Sequence, residues 1–125
     1  MANVFEEVGS AVAVLERVAE HLEPDTFDVT RAKRAIDLCT RAERLVLESR
    51  SRLARRVERA VVWKRDGHRS AARWLASATG TSVGAAMRSL ETARRLEDLP
   101  ETADAFRAGD LSESQAVERR GMPRD

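Results

Sequence analysis

The feature that most constrains the fold is the stretch from Val29 to Arg65, which contains neither Gly nor Pro. Its residues are mostly strong helix formers, so it predicts one helix of about 37 residues, roughly 55 Å long. Apolar side chains recur along it at helical spacing, with a break near Ser49 and Arg50. They are Ala32, Ile36, Cys39, Ala42, Leu45, Val46, Leu53, Val57, Ala60 and Val61.

A second amphipathic helix is predicted over residues 3–22, where apolar positions again recur every three or four residues. Pro24 ends it, and Asp28 is suited to cap the long helix that follows. The opening helix and the first half of the long helix therefore predict an antiparallel hairpin. The second half of the long helix needs another partner, either the rest of the chain or a second copy.

Residues 67–97 predict two short helices joined by a tight turn, the outline of a helix-turn-helix. Ser70 is suited to cap the first helix, and Gly80 ends it. Trp74, Leu75 and Ala78 are its expected apolar face. Thr81 or Ser82 caps the second helix, whose expected buried stripe is Val83, Ala86, Met87, Leu90 and Ala93.

The rest of the chain predicts two more short helices. Pro100 starts one that ends at Gly109, and Ser112 with Gln115 forms a capping box at the start of the other. We therefore expect an all-α fold with one helical domain over residues 1–117. It comprises a long-helix hairpin (3–65), a helix-turn-helix-like block (67–97) and short helices (100–119), before a polar tail over 120–125.

Cys39 is the only cysteine, so the chain has neither an intrachain disulfide nor a cysteine-based zinc site. Its place on the apolar stripe favours a small core residue over a redox role. No apolar run is long enough to span a membrane or serve as a signal. These observations predict a cytoplasmic protein without cofactor or metal.

Charge is balanced overall but not locally. Between Arg50 and Arg73 nine basic residues face two acidic ones, a local excess of +7 within a net charge of +1. Arg52, Arg55, Arg56 and Arg59 recur at helical spacing and form what we term the arginine stripe. Either these arginines bind DNA phosphates, or they pair with acidic residues elsewhere in the chain. The candidate acids are Glu97, Asp98, Glu101 and Asp104.

Further basic residues extend the candidate DNA-binding set. Arg69 and Arg73 follow the stripe, and Arg88 lies on the second helix of the helix-turn-helix-like block. That helix also carries Ser89 and Thr92, which would be exposed and able to touch bases. The candidate DNA-binding residues are Arg52, Arg55, Arg56, Arg59, Arg69, Arg73 and Arg88.

The two histidines and two tryptophans have mainly structural interpretations. His21 suits the C-terminal end of the opening helix, and His68 either stabilises the turn beside it or contacts a phosphate. Trp63 and Trp74 are expected to hold helices together rather than stack on a base. We expect no catalysis, since nothing in the sequence predicts the compact ββα unit that supplies histidines to an HNH nuclease.

An ordered series of segments resembles one known family: LARRVERA, then W-K-R-DGHRSAARWLA, TGTS, ARRLEDLPETADAFRAGDLS and QA. It is similar to the actinobacterial domain of unknown function numbered two-two-two, also called the thirteen-E-twelve repeat family, from about Ala32 to Val117. In that family the domain usually lies upstream of an HNH endonuclease domain, and this sequence contains no such part. Taken together with the candidate DNA-binding arginines, the resemblance favours a non-catalytic helical module that binds or positions double-stranded DNA.

The alternative is a helical protein-protein interaction module, or a homodimer formed through the long helix, with no nucleic-acid role. No small-molecule substrate and no membrane partner is expected.

Overall fold

A computed structural model describes residues 3–120, except for the side chains at positions 117, 119 and 120. All regular secondary structure in this range is helical, which confirms the all-α prediction. The α-helices are α1 (Val4–His21), α2 (Val29–Ala60), α3 (Ala71–Thr79), α4 (Val83–Leu96), α5 (Pro100–Arg107) and α6 (Glu113–Arg120). Short 3-10 turns lie at Pro24–Thr26 and Val62–Lys64. The predicted tail lies outside the described residues beyond Arg120.

The local signals that start and end the helices act as the sequence predicts. Asp28 Oδ1 accepts a hydrogen bond from the amide of Arg31 at 2.8 Å, which caps α2. Ser70 and Ser82 cap α3 and α4 in the same way. Gly80 ends α3 with φ +70°. These contacts satisfy helix-end groups that would otherwise lack an intrahelical partner.

The long helix is shorter than predicted. It ends at Ala60 rather than near Arg65, because Val61 adopts a left-handed conformation with φ +60°. Beyond that point Trp63 Nε1 donates to the carbonyl of Glu58 at 3.3 Å, and Trp63 packs against the nearby core. The helix therefore ends where the half-buried Trp63 packs against the core, at a position that has neither Gly nor Pro.

The chain separates into two compact units that divide between Asp37 and Leu38. The first contains α1, the Pro24–Thr26 turn and the start of α2. None of the residues of α1 is buried, and the apolar side chains of this helix are exposed. The Arg31 guanidinium lies over the Phe27 ring, 5.5 Å from its centre.

The second unit contains most of α2 and all later helices, around two clusters of buried apolar residues. One joins Ala54 of α2 to α3 and α4, and both tryptophans pack against it, as predicted. Its buried members are Ala54, Ala71, Ala72, Leu75, Ala76, Ala86 and Leu90. The other joins the end of α4 to α5 and α6 through Leu96, Phe106, Leu111 and Ala116.

At several positions the burial of the side chain differs from the sequence-based prediction. Met87 is 57% exposed although the stripe of α4 should have buried it, and Ala78 is exposed. Conversely, Thr92 is 1% exposed although its position predicted a solvent-facing side chain. Cys39 is exposed instead of in a core. The buried face of α4 is thus rotated, because α5 and α6 pack on it as well as α3.

Within residues 3–120, no helix combines the length and apolar character needed to cross a bilayer.

Candidate nucleic-acid interface

The first two members of the arginine stripe are neutralised within the fold. Arg52 binds the buried carboxylate of Glu48, with its Nε 2.6 Å from Oε1 and its Nη2 3.1 Å from Oε2. Arg55 donates to Glu58 at 2.9 Å and to Glu97 at 3.0 Å, and its side chain is only 22% exposed. Glu97 is one of the acids that the sequence offered as an alternative partner. Both arginines therefore serve structural ion pairs.

The other two members of the stripe remain available. Arg56 and Arg59 are exposed, and neither makes an ion pair with a described residue. They follow each other at a spacing of three on the last turns of α2, so they lie on one side of the helix. In the arginine stripe, Arg52 and Arg55 are thus ion-paired within the protein, whereas Arg56 and Arg59 are not paired with any described residue.

A basic depression lies beside the turn that joins α3 to α4. It is open to solvent, has a volume of about 440 Å³, and has Arg69 and Arg73 in its wall together with the half-buried His68. Among the described residues, no acidic side chain lines it. The residues that line it are Gly67, His68, Arg69, Arg73, Ala76, Ser77, Thr81 and Val83. We call this feature the basic depression.

The backbone explains why these groups meet. The amide of His68 donates to the carbonyl of Trp63 at 3.2 Å, and Gly67 turns the chain with φ +84°. This closed loop ends at Ser70, whose Oγ accepts from the amide of Arg73 at 3.1 Å. Because loop and helix cap are adjacent, Arg69 and Arg73 are held on the same wall. The backbone of His68 thus stabilises the turn, while its side chain lines the depression.

Arg88 adds a third cation near the start of α4. Its Nη1 lies 3.6 Å from the point that a Cβ on Gly84 would occupy, so the guanidinium folds back over the first turn. Ser82 Oγ accepts from the amide of Ala85, which leaves the amides of Val83 and Gly84 without a partner among the described residues. A helix N-terminus of this kind favours negative charge.

Neither of the two hydroxyls expected to read bases is available at the surface of α4. Ser89 Oγ donates to a carboxylate oxygen of Glu113 on α6 at 2.8 Å. Thr92 is buried against the core. Of the base-contacting side chains predicted on α4, only Arg88 is left exposed. The site is therefore equipped for phosphate oxygens much better than for base edges.

The sequence did not predict the hydroxyls of Ser77 and Thr81 as part of this site. Ser77 is exposed at the edge of the depression, and Thr81 Oγ1 lies 2.9 Å from Thr79 Oγ1. The Ser- and Thr-rich sequence that follows Arg69 and Arg73 was a signal that could have identified these two hydroxyls. Over residues 3–120, no group of three or more His, Cys, Asp or Glu side chains is arranged to hold a metal ion.

Comparison with known proteins gives one match. A family model described as Domain of unknown function (DUF222) matches residues 32–118, which agrees with the resemblance in the sequence. No curated protein and no solved structure matches the chain. Helix α1 precedes the matched region, whereas the basic depression and Arg88 lie within it.

Proposed function

We propose that this chain, which belongs to the DUF222 family, binds the phosphate backbone of double-stranded DNA through its basic depression, and that it does so without catalysing a reaction. One observation carries the proposal: Arg69 and Arg73 line a depression to which no described residue contributes an acidic side chain. Arginine guanidinium groups bind phosphate oxygens in fixed geometry, and hydroxyl groups supply further donors.

The position of the depression supports a duplex rather than a small anion. It lies beside the turn of a helix-turn-helix-like pair and includes Val83 at the start of α4, the helix that also carries Arg88. The amides of Val83 and Gly84 have no partner among the described residues. In helix-turn-helix proteins the start of the second helix faces the groove while flanking groups hold the backbone. Because α4 offers few groups suited to base edges, we propose binding with little sequence preference.

Arg56 and Arg59 are proposed to extend the interface along the backbone, since they carry free charge on the last turns of α2. Arg52 and Arg55 do not belong to the proposed interface. Their guanidinium groups already bind Glu48, Glu58 and Glu97, so a phosphate would have to displace those carboxylates.

The test measures binding to a labelled duplex of random sequence, about two helical turns long. We expect micromolar binding at about 50 mM salt that weakens steeply by about 200 mM, because affinity comes from counterion release. In the variant that combines Arg69→Ala with Arg73→Ala, the slope of log affinity against log salt should fall by about one for each of these arginines that binds a phosphate.

The matched control removes the same charge from Arg41 and Arg95. Both are exposed but ion-paired, to Asp110 and Glu91 respectively. Substituting both with Ala should change affinity far less than the Arg69 and Arg73 pair. Absence of any duplex binding by the folded protein at about 50 mM salt would refute the proposal. Equal losses in the two variants would show that only net charge matters.

A further inference from the structure

The side chain of His68 has no polar partner among the described residues. It is half-buried in the wall of the basic depression and makes neither a hydrogen bond nor an ion pair with any of them. Only the backbone of this residue is engaged, since its amide donates to the carbonyl of Trp63 at 3.2 Å. The ring nitrogens of His68 are therefore available to a ligand that enters the depression.

The charged groups that share the depression with His68 are basic. Arg69 of the same loop and Arg73 of α3 line it, and neither guanidinium pairs with a described carboxylate. From α4 the depression receives Val83, which is uncharged. The charged residues that precede His68 in the chain are exposed and do not line the depression: Lys64, Arg65 and Asp66. A positive charge on His68 would thus add to two others, with no described carboxylate among the lining residues to offset it.

Histidine is the side chain whose charge ordinarily changes between about pH 5 and 8, whereas a DNA phosphodiester stays negative throughout this range. Three cations in one depression repel one another until an anion lies between them, so phosphate binding and protonation of His68 favour each other. We propose that His68, once protonated, is a third phosphate-binding cation of the basic depression and makes duplex binding tighter as the pH falls. This inference rests on the proposed function.

The arginines and the histidine of the depression contribute differently to the affinity. Arg69 and Arg73 keep their charge at every pH in this range, so they supply the part of the affinity that does not depend on pH. The contribution of His68 is present at acidic pH, where the imidazole is protonated, and is lost as the proton leaves. One additional phosphate contact should raise the slope of log affinity against log salt by about one.

The test titrates the full chain with the same labelled random-sequence duplex at about pH 5.5 and about pH 7.5. The duplex carries hydroxyl ends, because a terminal phosphate itself changes charge near about pH 6. At about 100 mM salt we expect binding to be about tenfold tighter at the lower pH. The salt slope should also be larger by about one at the lower pH, which distinguishes an added phosphate contact from a general effect of pH on the fold.

Two substitutions at position 68 separate charge from shape. His68→Gln keeps polar atoms without a charge, so it should bind at both pH values with the weaker affinity. His68→Lys is charged at both, so it should bind at both with the tighter affinity. The matched control is His21→Gln, at the end of α1 and outside the depression, which should keep the full response to pH. Tryptophan fluorescence and circular dichroism check that each variant is folded.

The outcomes separate this inference from the proposed function. Duplex binding with the same affinity and salt slope at both pH values would overturn the role of His68 and leave the proposed function intact. A pH response that persists in His68→Gln or His68→Lys, or that disappears in His21→Gln, would assign the response to other groups and equally refute the role of His68. Absence of duplex binding at both pH values would refute the proposed function itself.

Discussion

The Nε atom of Arg55 on α2 donates to Oε1 of Glu97 at the end of α4, over a distance of 3.0 Å. The two residues are 42 positions apart, so this ion pair is a tertiary contact that ties the long helix to the helix-turn-helix-like pair. The Nη1 atom of Arg55 also donates to Oε1 of Glu58, at 2.9 Å. Arg56, the next residue, is exposed and makes no ion pair with a described residue. Neighbouring arginines in one basic run therefore have opposite roles.

Replacing these two neighbours with Met, which keeps the apolar stem, should give opposite results. Arg55→Met should lower the free energy of unfolding by about 1 kcal/mol, because Glu58 and Glu97 lose a partly buried partner. Arg56→Met should change it by less than about 0.5 kcal/mol but weaken duplex binding. Urea unfolding followed by tryptophan fluorescence and duplex titration measure both effects. A destabilised Arg56→Met protein with normal DNA binding would contradict this division.

The buried hydroxyl of Thr92 predicts a stabilising substitution. Its Oγ1 has no hydrogen-bond partner among the described residues, and the residue is 1% exposed. Thr92→Val has nearly the same shape and removes the unsatisfied group, so we expect stability to rise by about 1 kcal/mol. Thr79→Val is the control: Thr79 Oγ1 donates to the Leu75 carbonyl at 2.8 Å, so this change should not stabilise. Equal effects at both positions would show that the hydroxyl group of Thr92 has a hydrogen-bond partner in solution.

Val61 adopts the left-handed conformation that β-branched residues strongly disfavour. Val61→Gly should relieve this strain and stabilise the second unit by up to about 1 kcal/mol, after the larger chain entropy of Gly is subtracted. Val62, with a similar exposed fraction, lies in the following 3-10 turn, so Val62→Gly should destabilise. Thermal unfolding of both proteins gives the comparison. A less stable Val61→Gly protein would show that the Val61 side chain contributes more than its backbone strain costs.

Gly109 is required for two separate reasons. It has φ +80°, and a Cβ there would lie 3.3 Å from Cγ and Cδ2 of Leu45. Gly109→Ala should therefore cost more than the roughly 1–2 kcal/mol of a left-handed Ala alone. Gly80→Ala isolates the backbone cost, because Gly80 has φ +70° and nothing within 4 Å of its Cβ position. Chemical unfolding should show the larger loss of stability at Gly109, and equal losses would show that Leu45 yields to the added methyl group without cost.

The helix starts of this protein were predictable because their signals are local. The Ser112 amide donates to Gln115 Oε1 at 2.9 Å, and the Gln115 amide donates back to Ser112 Oγ at 3.2 Å, as the capping box predicts. The partners are three residues apart, so their geometry depends on few backbone angles. The same holds for Asp28, Ser70 and Ser82.

The candidate site was only partly predictable. Arg69, Arg73 and Arg88 were candidates from charge and spacing, but the sequence could not separate them from Arg52 and Arg55. Spacing on a helix shows which arginines share a side, yet it does not show which acids from other helices reach them. Glu97 reaches Arg55 only because α4 packs near α2, and that packing is not a local property.

By itself the sequence determined the all-helical class, the caps and most helix bounds, since propensity, spacing and capping act within a few residues. Only the tertiary structure decided where α2 ends, which face of α4 is buried and which arginines stay free. The burial of Trp63, the packing of α5 and α6 on α4, and the ion pairs of α2 join residues that are distant in sequence. Their free energies are set by where the helices meet, and that information is absent from local patterns.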